Sequence, residues 1–125
     1  MGIVNVTPDS FADAGETYDH VKAIERGLRF CDEGADIIDV GGESTRPGAA
    51  PVSVKEQCRR ILPVIKSLVR ENVLVSVDTR HADVMTAALG EGAKIINDIS
   101  ALSHDQKSLE VAKAYGAEII LMHMR

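Results

Sequence analysis

The sequence is short of several things, and each shortage removes a class of function. No apolar run approaches the length needed to span a bilayer, and no basic-then-apolar leader opens the chain. Neither a membrane partner nor a secreted precursor is expected. Positive charge is in deficit: 14 Lys and Arg against 19 Asp and Glu give a formal net charge of -5. That balance works against a general grip on nucleic acid or anionic membrane. Cysteine is scarce as well. Cys31 and Cys58 stand in helix-like stretches without metal-ligand spacing, and two buried thiols in a cytoplasmic protein explain them better than a disulfide. What remains, 125 residues of which 45% are hydrophobic and 26% charged, is ordinary for a globular domain with a real core.

Short apolar runs alternate with longer amphipathic ones. The short runs are Ile3–Val6, Asp36–Val40, Val73–Val77, Lys94–Asn97 and Glu118–Met122, β-branched and nearly continuous in apolar character, as strands covered on both faces must be. Between them, Val21, Ile24, Leu28 and Cys31 fall on one helical face. Val54, Cys58, Ile61, Leu62, Ile65, Leu68 and Val69 do the same in the next segment, where Pro63 predicts a kink. Ser53 with Glu56 reads as a capping box, and Ser103 with Gln106 as a similar start. Gly34, Asn72, Gly92 and Gly116 tolerate the left-handed conformation that ends a helix.

The turns repeat one pattern, Gly-Ala-charge-Ile-Ile, at Gly34–Ile38, Gly92–Ile96 and Gly116–Ile120. One helix-to-strand turn is being reused, which predicts parallel βα units with right-handed crossovers. A five-stranded doubly wound domain and the first half of a (β/α)8 TIM barrel both fit that order, the complete barrel needing roughly 250 residues. Met1 lies against the first strand, and the chain stops directly after an apolar fifth strand. The expectation is a barrel domain over residues 1–125, truncated at both ends.

In parallel α/β folds the strand C-termini point into the site. Every predicted strand ends in polar residues: Asn5 and Thr7–Ser10, Asp39 and Glu43–Arg46, Asp78–Arg80, Asn97–Asp98, and His123. Singly, each has an ordinary structural reading; Thr79 suits a helix cap and Asn97 a turn. Five strand ends placing polar groups at one rim are not needed by a purely structural barrel. The second loop is the most specific: Gly41 and Gly42 allow close backbone approach to a ligand or loop movement, and Arg46 can fork onto phosphate or carboxylate. Asp78 and Asn97 suit the edge of a nitrogen-rich heterocycle, with Ile99 and Met122 against its faces. Asn5 is placed to orient a metal-bound diphosphate, although this stretch alone cannot build a metal site. His123 reads equally as a packed histidine or a base, and His20, His81 and His104 as structural or solvated.

Five segments together resemble the dihydropteroate synthase family: Met1–Phe11, Asp39–Gly48, Ser76–Thr79, Ile95–Asp98 and Leu121–Met124. The resemblance implies a (β/α)8 barrel of folate biosynthesis that joins 6-hydroxymethyl-7,8-dihydropterin diphosphate to 4-aminobenzoate, releasing diphosphate with Mg2+. It would place Asp78 and Asn97 on the pterin ring, with Ile99 and Met122 lining the pocket. Asn5 would touch the diphosphate and its Mg2+, and Thr45 and Arg46 would sit near the diphosphate and second substrate. Phe11 and Pro47 would close over 4-aminobenzoate, where sulfonamides compete. It also implies a cytoplasmic homodimer. The family usually has Ser and Gly where this chain has Ala12 and Ala14, and Ala14 in place of Gly is expected to stiffen the first loop. Its later motifs, an acidic strand end, a Ser-Arg-Lys segment and an Arg-His pair, are missing, so the 125-residue piece is expected to be inactive alone. Two alternatives stand beside this one. The pterin module of methyltetrahydrofolate-dependent corrinoid methyltransferases shares the Asp and Asn strand ends but needs no diphosphate loop. A receiver-type signalling domain needs an acidic cluster and a short second loop.

Overall fold

The predicted alternation folds as β1 (Gly2–Asn5), α1 (His20–Asp32), β2 (Ile38–Gly41), α2 (Val54–Arg70), β3 (Val75–Asp78), α3 (Ala82–Gly90), β4 (Ile95–Asp98), α4 (Ser108–Tyr115) and β5 (Glu118–Leu121). This is a computed structural model, and it describes residues 1–6, 20–42, 52–98 and 107–121. The strands pair in parallel throughout, in the order β1-β2-β3-β4-β5. That order decides between the two architectures. A doubly wound sheet reverses its strand order at a switch point, whereas a barrel adds each strand on the same side of the last. Right-handed crossovers then stack the helices on one face, and α1 packs on α2, α2 on α3 and α3 on α4. The chain is part of an α/β barrel. Among the described residues no helix is long and apolar enough to cross a membrane.

The two faces of the sheet differ because successive strand residues point to opposite sides. Val4, Ile38, Val40, Val75, Val77 and Ile96 meet the helices, whose Ile61, Val64, Ile65, Leu68, Met85 and Ala88 complete one continuous core. The alternating set faces away from the helices in two registered rows. One row runs Ile3, Asp39, Ser76, Ile95, Glu118; the next, toward the strand C-termini, runs Asn5, Gly41, Asp78, Asn97, Ile120. The core is therefore apolar, and the polar residues share the opposite face.

Local signals hold at the helix ends. Gly34, Asn72, Gly92 and Gly116 all take positive φ, at 104°, 62°, 111° and 64°. Ser53 caps α2, its Oγ accepting from the Glu56 amide at 3.2 Å. Other expectations shift. Val21 is 63% exposed, and α1 instead buries Ala23 and Gly27. A Cβ at Gly27 would lie 3.0 Å from Leu68 Cδ2, so its absence lets α1 settle closely on α2. Helix α2 runs unbroken through Pro63. Pro63 lies on the exposed side, where the carbonyl it leaves without an N–H partner can be hydrated. Cys31 and Cys58 are free and only partly buried. Ser103, Gln106 and His104 lie outside the described residues.

Candidate active site

The inner face collects its polar side chains on three neighbouring strands. Asp78 ends β3, half-buried, in register between Gly41 of β2 and Asn97 of β4. One row below, Asp39 pairs with Ser76. Asn97 reaches across β3 to this lower row, its Nδ2 donating to Asp39 Oδ2 at 3.1 Å in a buried bond. In a flat sheet β2 and β4 would stand about 9–10 Å apart, so the bond needs both side chains reaching over β3.

Asp39 is 2% exposed, and burial raises its carboxyl above the ordinary value of 3.8. The neighbouring Ser76 hydroxyl and the Asn97 amide offset part of that rise; only the Asn97 contact is a formed hydrogen bond, since Ser76 Oγ makes none among the described residues. Two further buried atoms of the cluster, Asp39 Oδ1 and Asn97 Oδ1, also lack partners among the described residues. A buried oxygen left without a donor costs about 1–3 kcal/mol, so these two oxygens call for a donor from outside the described residues.

The glycine pair at the end of β2 has a packing role that its sequence did not reveal. A Cβ at Gly41 would stand 3.3 Å from the Cβ of Asp78 and 3.4 Å from its Oδ2. Gly41 thus leaves room for the Asp78 carboxylate. A Cβ at Gly42 would stand 3.0 Å from Ile61 Cγ2 and 3.2 Å from the Gln57 carbonyl, against α2 itself. These two glycines admit protein neighbours.

Helix α2 returns three polar contacts to the same region, two of them buried. Arg60 Nη1 donates to the Gly42 carbonyl at 2.8 Å, and Gln57 Nε2 donates to the Val52 carbonyl at 2.9 Å. Gln57 Oε1 accepts from Thr79 Oγ1 at 3.1 Å. Thr79 Oγ1 also accepts from the His81 amide at 3.2 Å, so Thr79 shapes the turn before α3 while His81 occupies the cap position. Glu56 Oε1 lies 3.6 Å from Arg60 Nε, which keeps the buried guanidinium paired. Sequence reading placed Gln57 and Arg60 on no functional face. The available signal was their i, i+3 spacing inside the apolar stripe of α2.

With this geometry, the chain can be set beside known proteins. The profile of the family described as pterin binding enzyme matches residues 1–125. The chain belongs to the pterin-binding enzyme family. It is 50% identical over 127 residues to the dihydropteroate synthase of Bacillus subtilis, a match covering 100% of this chain and 44% of that one. The structure of Xanthomonas albilineans dihydropteroate synthase with 4-aminobenzoic acid superposes with a TM-score of 0.88 at 48% identity, covering 100% of this chain and 46% of that one. The same organism's enzyme in complex with 7,8-dihydropteroate gives a TM-score of 0.83 at 44% identity, covering 100% and 45%. The chain spans about half the length of these relatives.

The expected site residues divide between those the structure describes and those outside it. The structure brings Asn5, Asp78 and Asn97 to one row on the inner face, Asn5 exposed at the end of β1. Phe11, Thr45, Arg46, Pro47, Ile99, Met122 and His123 lie outside the described residues. Among the described residues no group of three or more His, Cys, Asp or Glu is placed to hold a metal ion.

Proposed function

We propose that this chain supplies the first half of the active site of a dihydropteroate synthase, joining 6-hydroxymethyl-7,8-dihydropterin diphosphate to 4-aminobenzoate in the cytoplasm. The observation that carries the reading is the registered row of Asp78 and Asn97 above a buried cluster with unpartnered oxygens, in a chain of the pterin-binding family. The two superposing Xanthomonas albilineans dihydropteroate synthase structures hold 4-aminobenzoic acid and 7,8-dihydropteroate. Asp78 accepts hydrogen bonds from the amino-pyrimidine edge, and Asn97 offers both a donor and an acceptor to it. Ile99 and Met122 line the faces of the ring.

The reaction breaks the bond between the pterin methylene carbon and the diphosphate oxygen, the electron pair leaving with diphosphate. The aniline nitrogen then attacks the cation-like methylene and loses a proton. Thr45 and Arg46 hold the departing diphosphate, a charge-assisted contact that strengthens as negative charge develops. Asn5 offers its amide oxygen at the same rim, and Mg2+ bound beside it would offset charge on the leaving group. Phe11 and Pro47 close over 4-aminobenzoate, which is where sulfonamides compete. The full-length protein is a homodimer in this reading.

The test is to express the full-length protein that carries this segment and assay pteroate formation from the two substrates with Mg2+. Product is expected, with Asp78→Ala and Asn97→Ala each lowering kcat/KM by about 10–100-fold. Residues 1–125 alone are expected to give none. Pterin binding without turnover of the diphosphate would move the protein to the methyltransferase class and leave the second loop needing another explanation.

A further inference from the structure

We propose that Asp39 is a positioning residue that sets the polarity of the pterin edge this site accepts. The inference rests on the reading just given, in which Asn97 meets the pterin, and it concerns which way the Asn97 amide faces. An ionised carboxylate can only accept hydrogen bonds. Asp39 Oδ2 stands 3.1 Å from Asn97 Nδ2, so the nitrogen must face the aspartate and the oxygen must face away. Reversing the amide would set two lone-pair-bearing oxygens at that distance.

The consequence falls on the ligand. Asn97 Oδ1 is buried without a donor among the described residues, and Asn97 as a whole is 5% exposed. With its nitrogen held on Asp39, the Asn97 oxygen is turned away from that carboxylate as an acceptor short of a donor, beside the second hydrogen of Nδ2 as a donor. An amino-pyrimidine supplies the complement, an N–H donor beside a ring-nitrogen acceptor. A dioxo ring of the same shape, with oxygen in place of the exocyclic amine, sets oxygen against oxygen. A site built around a fixed polar group rejects such a mismatch because buried groups are left unpaired.

Burial of Asp39 fits this role better than a role in stability. Asp39 is itself 2% exposed, and Ser76 beside it in the same row and the helix-facing neighbours Ile38 and Val40 are fully buried. A carboxylate placed there costs folding free energy unless ionised contacts repay it, and the surrounding valines and isoleucines show that an apolar residue is compatible with the strand. What an apolar residue would not do is hold the amide.

The experiment uses the full-length protein and two probes, 6-hydroxymethylpterin and its 2-oxo analogue 6-hydroxymethyl-lumazine, measured by calorimetry with wild type, Asp39→Ala and Asp39→Asn. Wild type is expected to favour the pterin by about 100-fold or more, since a mismatch at a fixed polar contact costs about that much or above. In Asp39→Ala the amide is free to turn, and the preference is expected to fall by about tenfold, roughly the worth of one buried hydrogen bond. Asp39→Asn keeps the shape and can present either face, so its preference is expected to narrow as well; this variant serves if Asp39→Ala does not fold. Equal weakening of both probes, with the ratio unchanged in a folded variant, would overturn the proposal and leave Asp39 a purely structural residue. Failure of wild type to bind the pterin or form pteroate would instead remove the functional reading beneath it.

Discussion

Gly42→Ala tests whether the glycine pair serves packing or ligand approach. The added Cβ would meet Ile61 Cγ2 at 3.0 Å, the Gln57 carbonyl oxygen at 3.2 Å and the Gln57 Cα at 3.3 Å. Two of these neighbours are helix backbone and the third is a fully buried side chain, so none moves cheaply. Overpacking of this kind costs about 1–3 kcal/mol. Relief requires β2 and α2 to separate, which stretches the 2.8 Å bond from Arg60 to the Gly42 carbonyl, a charged bond worth about 1.5–3 kcal/mol. One movement trades the first cost against part of the second, so they do not add fully, and about 2–4 kcal/mol is expected in total. At a urea slope of about 2 kcal/mol/M the midpoint falls by about 1–2 M. Arg60→Met should cost less in the Gly42→Ala background than in wild type, because the bond is already weakened there. A loss within about 0.5 kcal/mol, the range of an ordinary surface change, together with a raised KM would refute the packing argument and restore the ligand-approach reading.

Three more outcomes are expected. The folded protein holds a proton on Asp39 more tightly than the unfolded chain does, because the burial-raised carboxyl lies above 3.8. The folded state therefore binds more protons in the interval above that value, and stability falls as pH rises toward the folded-state pKa, then levels off. Asp39→Asn removes this titration, so its stability advantage over wild type should grow across the interval in urea unfolding at stepped pH; a difference independent of pH would contradict it. Pro63→Ala, at an exposed position inside α2, restores a helical N–H and is expected to raise stability by about 1–3 kcal/mol, read as a higher midpoint. Burial pushes the Cys58 thiol up, and Asp83 adds to the rise. Alkylation at neutral pH should accordingly be slower than for free cysteine and faster in Asp83→Asn; equal rates in the two proteins would rule out the Asp83 contribution.

Much of the site was legible because polar residues at strand ends stand out against apolar runs. Asp78 and Asn97 were found that way, and the register places them side by side. Asp39 was visible as an acid inside Ile37-Ile38-Asp39-Val40, yet nothing local assigned it a partner, since Asn97 is 58 residues away. Gln57 and Arg60 were hidden for a different reason. Polar residues on an amphipathic helix are ordinarily solvated, and only the nearby Gly42, Val52 and Thr79 turn these two inward. The α1 face differs from its hydrophobic pattern at Val21 and Gly27, because hydrophobicity ranks Val21 above Gly27, whereas close packing on Leu68 favours the residue with no side chain.

The sequence by itself determined the alternation of strands and helices, the four left-handed helix ends and the Ser53 cap, because these depend on periodicity and on backbone preferences within a few residues. Tertiary structure alone decided the strand order, which separates a barrel from a doubly wound sheet, and the bond that joins Asp39 to Asn97 over β3. Both are contacts between residues far apart along the chain. Their free energy comes from burial and geometry that exist only once the strands have paired and the helices have packed on them.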